Sequence, residues 1–143
     1  MSTDSSTTFS LTATRTGSWT YTVDNGRGAT VDIGLEGADG AFSPVELLQA
    51  ALAGCAALSA EAQLVNKLGE NAEVSSVVDF THDADTNRIT SLTNLISADM
   101  SSLDIERREK LIAAAERSIG ILCTVKTSLN HGVEASTTVT AAP

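Results

Sequence analysis

A chain of 143 residues with 42% hydrophobic side chains is long enough to build one ordinary domain around its own core. Its net charge of −9 disfavours nucleic acid and anionic membrane surfaces as partners. Only five residues are aromatic, so that core must be aliphatic and rich in small side chains.

The first eight residues, MSTDSSTT, have neither a basic region nor an apolar centre and do not read as a secretory signal. Residues 1–7 are expected to be a disordered polar tail, followed by a single domain over 8–141. No apolar run is expected to reach bilayer-spanning length. A cytoplasmic location follows as the expectation, and there thiols are kept reduced.

Residues 8–15 and 19–24 alternate as strands do, around a turn at Thr16-Gly17-Ser18. Asn25-Gly26 predicts a two-residue type I′ hairpin turn, with a third strand over 29–35 completing an antiparallel meander. Ser43-Pro44-Val45-Glu46 then combines an N-cap, a proline at the first helical position and a glutamate at the third, a capping box. The helix it opens should run from Pro44 to Leu68, with Gly69 as its C-cap. Its length would be about 37 Å at 1.5 Å per residue.

The middle of this helix, residues 50–58 (AALAGCAAL), is apolar all round, which calls for cover on every side. A second subunit is the favoured source of that cover. The alternative is burial between a sheet and a second helix of the same chain. Residues 73–80 and 88–96 read as another hairpin. A second helix is expected from Ser101 or Ser102 to Ser118, with Asp104 at capping-box spacing after Ser101. Residues 133–140 read as a closing strand. The order β-β-β-α-β-β-α-β predicts an α+β fold. No glycine-rich phosphate loop is present, so a nucleotide site of that kind is not supported.

Two cysteines stand out, Cys55 and Cys123. At 100° per residue Cys55 shares a helical face with Leu48, Ala51, Leu52, Ser59 and Ala62. Cys123 follows Ile119 by four and so continues a buried stripe predicted through Ile105, Ile112, Ala115 and Ile119. Packing of the two helices through these faces could bring the sulfurs together. Either cysteine alone could equally be a small core hydrophobe. Their separation, 123 − 55 = 68 residues, excludes a C-x-x-C motif. His82 and His131 read as solvated loop residues with no ligand spacing, so no metal or other cofactor is expected.

Residues 43–55 (SPVELLQAALAGC) resemble the central helix of the OsmC family, which includes the organic hydroperoxide resistance proteins. Residues 113–125 (AAAERSIGILCTV) resemble that family's second cysteine motif, and the surrounding element order agrees over nearly the whole chain. The resemblance implies an intertwined homodimer with two long helices at its centre, and a thiol peroxidase that reduces organic hydroperoxides. By that resemblance Cys55 is the peroxidatic thiol and Cys123 the resolving thiol. They would form a Cys55–Cys123 disulfide that an external dithiol reductant of lipoyl type reopens.

Such chemistry needs a thiol of low pKa, and Cys55 lies too far along its helix to use that helix's own N-terminus. The family uses an arginine from the N-terminal strands together with a carboxylate early in the long helix. Arg15 is the best match for the arginine and Arg27 the second; a solvated hairpin charge is the competing reading of each. Glu46 departs from the hydroperoxide resistance pattern, in which the glutamate directly follows the proline. It precedes Cys55 by nine residues, half a turn out of phase, and the capping box accounts for it without catalysis. The pattern points to a broader OsmC-like branch. Thr124 also replaces the proline common after the second cysteine, which reads as a loss of rigidity more than of chemistry. Two alternatives stand beside the peroxidase: a dimer that binds a small apolar ligand, and a thiol enzyme acting on another electrophile.

Overall fold

The computed structural model describes residues 5–143. Residues 1–4 of the expected polar tail lie outside the described residues. The chain falls into two compact units, the first ending at Leu48 and the second running Gln49–Pro143.

The first unit contains the meander: β1 (Thr12–Gly17), β2 (Thr20–Asp24) and β3 (Thr30–Ile33), antiparallel in that spatial order. The turn between β1 and β2 is Ser18-Trp19, with Trp19 at φ 57, where a bulky residue is unusual. The expected two-residue turn at Asn25-Gly26 is not formed. The last ladder pair is Asp24 with Thr30, so the loop spans residues 25–29. The Asn25 side chain explains the longer loop. Its Oδ1 accepts from the amides of Arg27 (2.7 Å) and Ala29 (3.2 Å), while Gly26 and Gly28 take the positive φ values. After β3 the chain loops back so that Phe42 bridges Ile33 and accepts from the Gly34 amide at 2.9 Å. Gly34 permits this: a Cβ there would meet Ala38 Cβ at 3.0 Å and Ala41 Cβ at 3.2 Å.

Helix α1 (Pro44–Leu68) has the bounds expected. The capping box is reciprocal: Glu46 Oε1 accepts from the Ser43 amide at 2.9 Å, and Ser43 Oγ accepts from the Glu46 amide at 3.1 Å. Gly69, at φ 93, donates to the Val65 carbonyl at 2.8 Å and ends the helix. Contrary to the sequence expectation, α1 is long and apolar enough, by length and composition, to cross a membrane. Leu52, Ala56, Ala60 and Leu64 form a continuous buried stripe along one side of it.

Beneath α1 lies the hairpin of β4 (Val74–Asp83) and β5 (Arg88–Ala98). Side chains tie the helix to it. Gln49 Nε2 donates to the Val78 carbonyl at 2.7 Å, and Ser76 Oγ donates to the Ala53 carbonyl at 3.0 Å. Asn94 Nδ2 in turn donates to Ser76 Oγ at 2.8 Å. Helix α2 spans Ile105–Leu122. Asp104 is not the third residue of a helix begun at Ser101; it is the N-cap itself, accepting from the Arg107 amide at 2.9 Å. The buried stripe of α2 is also rotated from the one expected. Leu111 and Ala115 are buried with Ile119 packed beside them, while Ile105 and Ile112 are exposed.

Two buried clusters result. One joins Leu52, Ala56, Val78 and Cys123; the other joins Ala60, Leu64, Leu111 and Ala115. Ile96 and Ile119 pack against both. Burial of each large aliphatic chain contributes about 1.5–3 kcal/mol.

Two features of the C-terminal region differ from expectation. A third helix, α3 (Thr124–His131), follows α2 directly. Residues 133–140 carry no strand. Their alternation suits one, but a strand exists only through ladder hydrogen bonds, and no strand among the described residues pairs with them. The observed order is β-β-β-α-β-β-α-α, still a mixed α+β fold. The two histidines are exposed, as expected, but not in loops: His82 lies near the end of β4 and His131 ends α3.

Candidate active site

Cys123 occupies the junction of two helices. It is the C-cap of α2, its amide donating to the Ile119 carbonyl at 3.0 Å, and the N-cap of α3, its carbonyl accepting from the Thr127 amide at 3.0 Å. It is fully buried, with 0% of its surface exposed. Cys55 sits one residue off the Leu52–Ala56 stripe, at its edge, and is therefore half-buried. Ala51 and Ala62, expected on the buried face with Cys55, are exposed. This edge position couples a packed backbone to an accessible sulfur. Both cysteines are free thiols.

The fold brings the two thiols together: Cys55 packs against the buried cluster that contains Cys123, and the two groups are driven in opposite directions. The Cys55 pKa lies below the ordinary thiol value, chiefly because the Val125 amide donates to its sulfur. Partial burial opposes this. The Cys123 thiol and the Thr124 amide add to it, and Ser59 contributes least. The Ser59 hydroxyl is already committed to the Cys55 carbonyl, at 2.7 Å.

The Cys123 pKa is raised, first by burial. The Lys126 amide and ammonium moderate the rise, while the neighbouring Cys55 adds to it. The pair is therefore polarised, with a half-buried sulfur disposed to ionise and a buried one disposed to keep its proton.

The start of α3 packs on the same buried cluster as Cys55, through Val125. Amides in the first turn of a helix have no intrahelical acceptor and carry the positive end of its dipole, so they favour an anion. α3 was missed because its eight residues are too few for a clear apolar period. Gly132 just past its end, at φ 80, and the four-residue spacing of Val125 and Leu129 were the available signals.

The other expected site residues lie in the first unit. Arg15 is exposed on β1, paired in register with Tyr21. Arg27 is exposed in the 25–29 loop, its guanidinium donating to the Asn25 carbonyl at 3.4 Å. Glu46 closes the capping box. Among the described residues, no group of three or more His, Cys, Asp or Glu side chains could hold a metal ion.

The family of OsmC-like proteins matches residues 37–138 of the chain. Uncharacterized proteins of Mycobacterium tuberculosis and Mycobacterium bovis are 33% identical to it over 118 residues, 82% of this chain and 86% of theirs. Among solved structures, an OsmC-like protein from Mycoplasma pneumoniae aligns with a TM-score of 0.60 at 13% identity, covering 87% of this chain and 88% of that one. The organic hydroperoxide resistance protein OhrB of Bacillus subtilis aligns with a TM-score of 0.52 at 20% identity, covering 84% and 90%. At such identities the structural likeness speaks for the fold. Fold, cysteine motifs and family match agree, and the chain belongs to the OsmC-like family.

Proposed function

We propose that this protein is a thiol-dependent reductase of organic hydroperoxides, working as a homodimer in the reducing cytoplasm. The observation that carries the reading is the thiol pair packed at one buried cluster, a half-buried Cys55 of lowered pKa beside a buried Cys123 of raised pKa.

In this scheme the Cys55 thiolate attacks the terminal peroxide oxygen. The O–O bond breaks, an alcohol leaves with a proton, and Cys55 becomes a sulfenic acid. Cys123 gives up its proton and attacks that sulfur, water departs, and a Cys55–Cys123 disulfide forms. An external dithiol of lipoyl type then returns two electrons by exchange and restores both thiols. Burial keeps Cys123 neutral until the sulfenic acid is next to it, so it does not compete for peroxide.

The homodimer is supported by the outer face of α1. Leu58 is 75% exposed, Ala50, Ala51 and Ala62 are exposed with it, and a Cβ on Gly54 would meet open space. A second α1 laid against this stripe of small residues would remove it from water.

Turnover of cumene hydroperoxide with dihydrolipoamide tests the reading. One equivalent of peroxide should consume both thiols and yield a Cys55–Cys123 disulfide in a peptide map. Cys55→Ser should abolish peroxide consumption, and Cys123→Ser should leave a trappable sulfenic acid at Cys55. Loss of no thiol and no peroxide would reject it.

A further inference from the structure

Of the asparagines in the sequence, only Asn25 is followed by glycine. Glycine has no Cβ to shield its amide nitrogen, so the Gly26 nitrogen is free to approach the Asn25 side-chain carbonyl and close a cyclic imide. Ring closure is helped by three things. A base takes the Gly26 amide proton, a donor on the Asn25 peptide carbonyl makes that proton more acidic, and donors on the side-chain oxygen stabilise the charge that develops there.

The loop between β2 and β3 supplies all three from its own groups. The Gly26 amide donates to Asp24 Oδ1 at 2.7 Å, so a carboxylate already holds the proton that must leave. The Arg27 guanidinium donates to the Asn25 carbonyl at 3.4 Å, on the same peptide group that carries the Gly26 nitrogen. Asn25 Oδ1 accepts from the Arg27 amide at 2.7 Å and the Ala29 amide at 3.2 Å, a pair of donors placed as an oxyanion requires. The Asn25 amide donates to the Ala29 carbonyl at 3.1 Å, so the residue is tied by backbone and side chain alike. Asn25 is half-buried, while Gly26, Arg27, Gly28 and Ala29 are exposed, which gives water access to the loop.

We propose that Asn25 is a self-modification site, converted by its own loop to a succinimide and then to aspartate or isoaspartate. The Gly26 nitrogen attacks Asn25 Cγ and gives its proton to the Asp24 carboxylate. A C–N bond forms, the Cγ–Nδ2 bond breaks, and the leaving nitrogen takes the proton from Asp24 and departs as ammonia. Solvent water then opens the ring at either carbonyl, and nothing is oxidised or reduced. Either product adds one negative charge to a chain whose net charge is −9. Isoaspartate also reroutes the backbone through the side chain. That lengthens the connection between Asp24 and Thr30, the last ladder pair of β2 and β3, and takes the side-chain oxygen out of its two-amide cradle. This end of the meander should therefore loosen as the protein ages. The site lies in the first unit and does not depend on the thiol reading.

The test incubates the full chain at mildly alkaline pH, folded and in guanidinium chloride. Conversion of Asn25 is followed by peptide mapping, with an isoaspartate-specific methyltransferase as a second readout. The folded chain should convert Asn25 faster than the unfolded chain, in which only the Asn-Gly sequence acts. Asp24→Asn should slow the folded chain about tenfold or more and leave the unfolded rate nearly unchanged. Arg27→Gln, which keeps the amide on Asn25 Oδ1 but removes the guanidinium, should slow it by a smaller factor. Slower conversion in the folded than in the unfolded chain, or equal rates in Asp24→Asn and the parent, would overturn the proposal. Should Asp24→Asn fail to fold, the pH profile of the parent decides. Loss of Asn25 should rise less steeply with pH in the folded chain than in denaturant, because a carboxylate takes the place of hydroxide. Parallel profiles would overturn it too.

Discussion

Cys55 and Cys123 meet at one buried cluster, and their pKa values are driven apart, the half-buried thiol downward and the buried one upward. Direction matters here. The reverse arrangement would ionise a sulfur sealed in the core and leave the accessible one inert.

A pH dependence follows with a definite sign. The folded Cys55 pKa lies below its unfolded value, so its ionisation contributes stability at pH above the unfolded thiol value. That contribution is lost as pH falls through the folded Cys55 pKa. Cys123 behaves oppositely: its raised pKa means that folding loses stability as pH rises past the unfolded thiol value toward the folded one. In urea melts of the reduced protein, the advantage over Cys55→Ser should therefore grow between the folded Cys55 pKa and the unfolded thiol value. Iodoacetamide should modify Cys55 first, at a pH where an ordinary thiol is still protonated. Preferential labelling of Cys123 would contradict the assignment.

The glutamate at position 46 can be tested for a role beyond capping. Ser43→Ala removes an acceptor for the Glu46 amide and should cost about 0.5–2 kcal/mol. Glu46→Gln retains a carbonyl acceptor for the Ser43 amide and should leave both stability and peroxide turnover near the parent. A large fall in turnover without a fall in melting temperature would instead give the carboxylate a part in the chemistry.

Leu64 is 2% exposed and sits among Ala60, Leu111 and Ala115. Leu64→Ala should cost about 2–5 kcal/mol in denaturant titration. Because this cluster is distinct from the one holding Cys123, the rate of Cys55 alkylation under native conditions should change little.

Leu58 is the most exposed large hydrophobic side chain of α1. Leu58→Asp places a charge on the stripe proposed to meet a second copy. Sedimentation should show a dimer for the parent chain and a monomer for this variant. A parent that is monomeric at micromolar concentration would remove the dimer from the proposal.

Much of the fold was legible where local chemistry is decisive. Ser43, Pro44, Glu46 and Gly69 set both ends of α1, because caps act within a few residues. The 73–96 hairpin was legible for the same reason. Asn25 was misleading because its side chain can close a longer loop as readily as its backbone can enter a two-residue turn. Ile105 and Ile112 misled the reading of α2: apolar spacing marks an apolar face, but only the tertiary partner decides which edge of it is buried. The two cysteines were identified from motifs, whereas the amides of Thr124 and Val125 were not. Backbone donors leave no trace in residue identity, and their approach to Cys55 depends on where α2 ends.

The abrupt passage from α2 to α3 at Cys123 has a consequence for how the protein could be damaged. A single residue both closes one helix and opens the next, so any bulky adduct on its sulfur would have to fit inside the core or prise two helices apart. Modification of Cys123 by a large electrophile would thus be an unfolding event, while the same reagent at Cys55 would leave the scaffold standing.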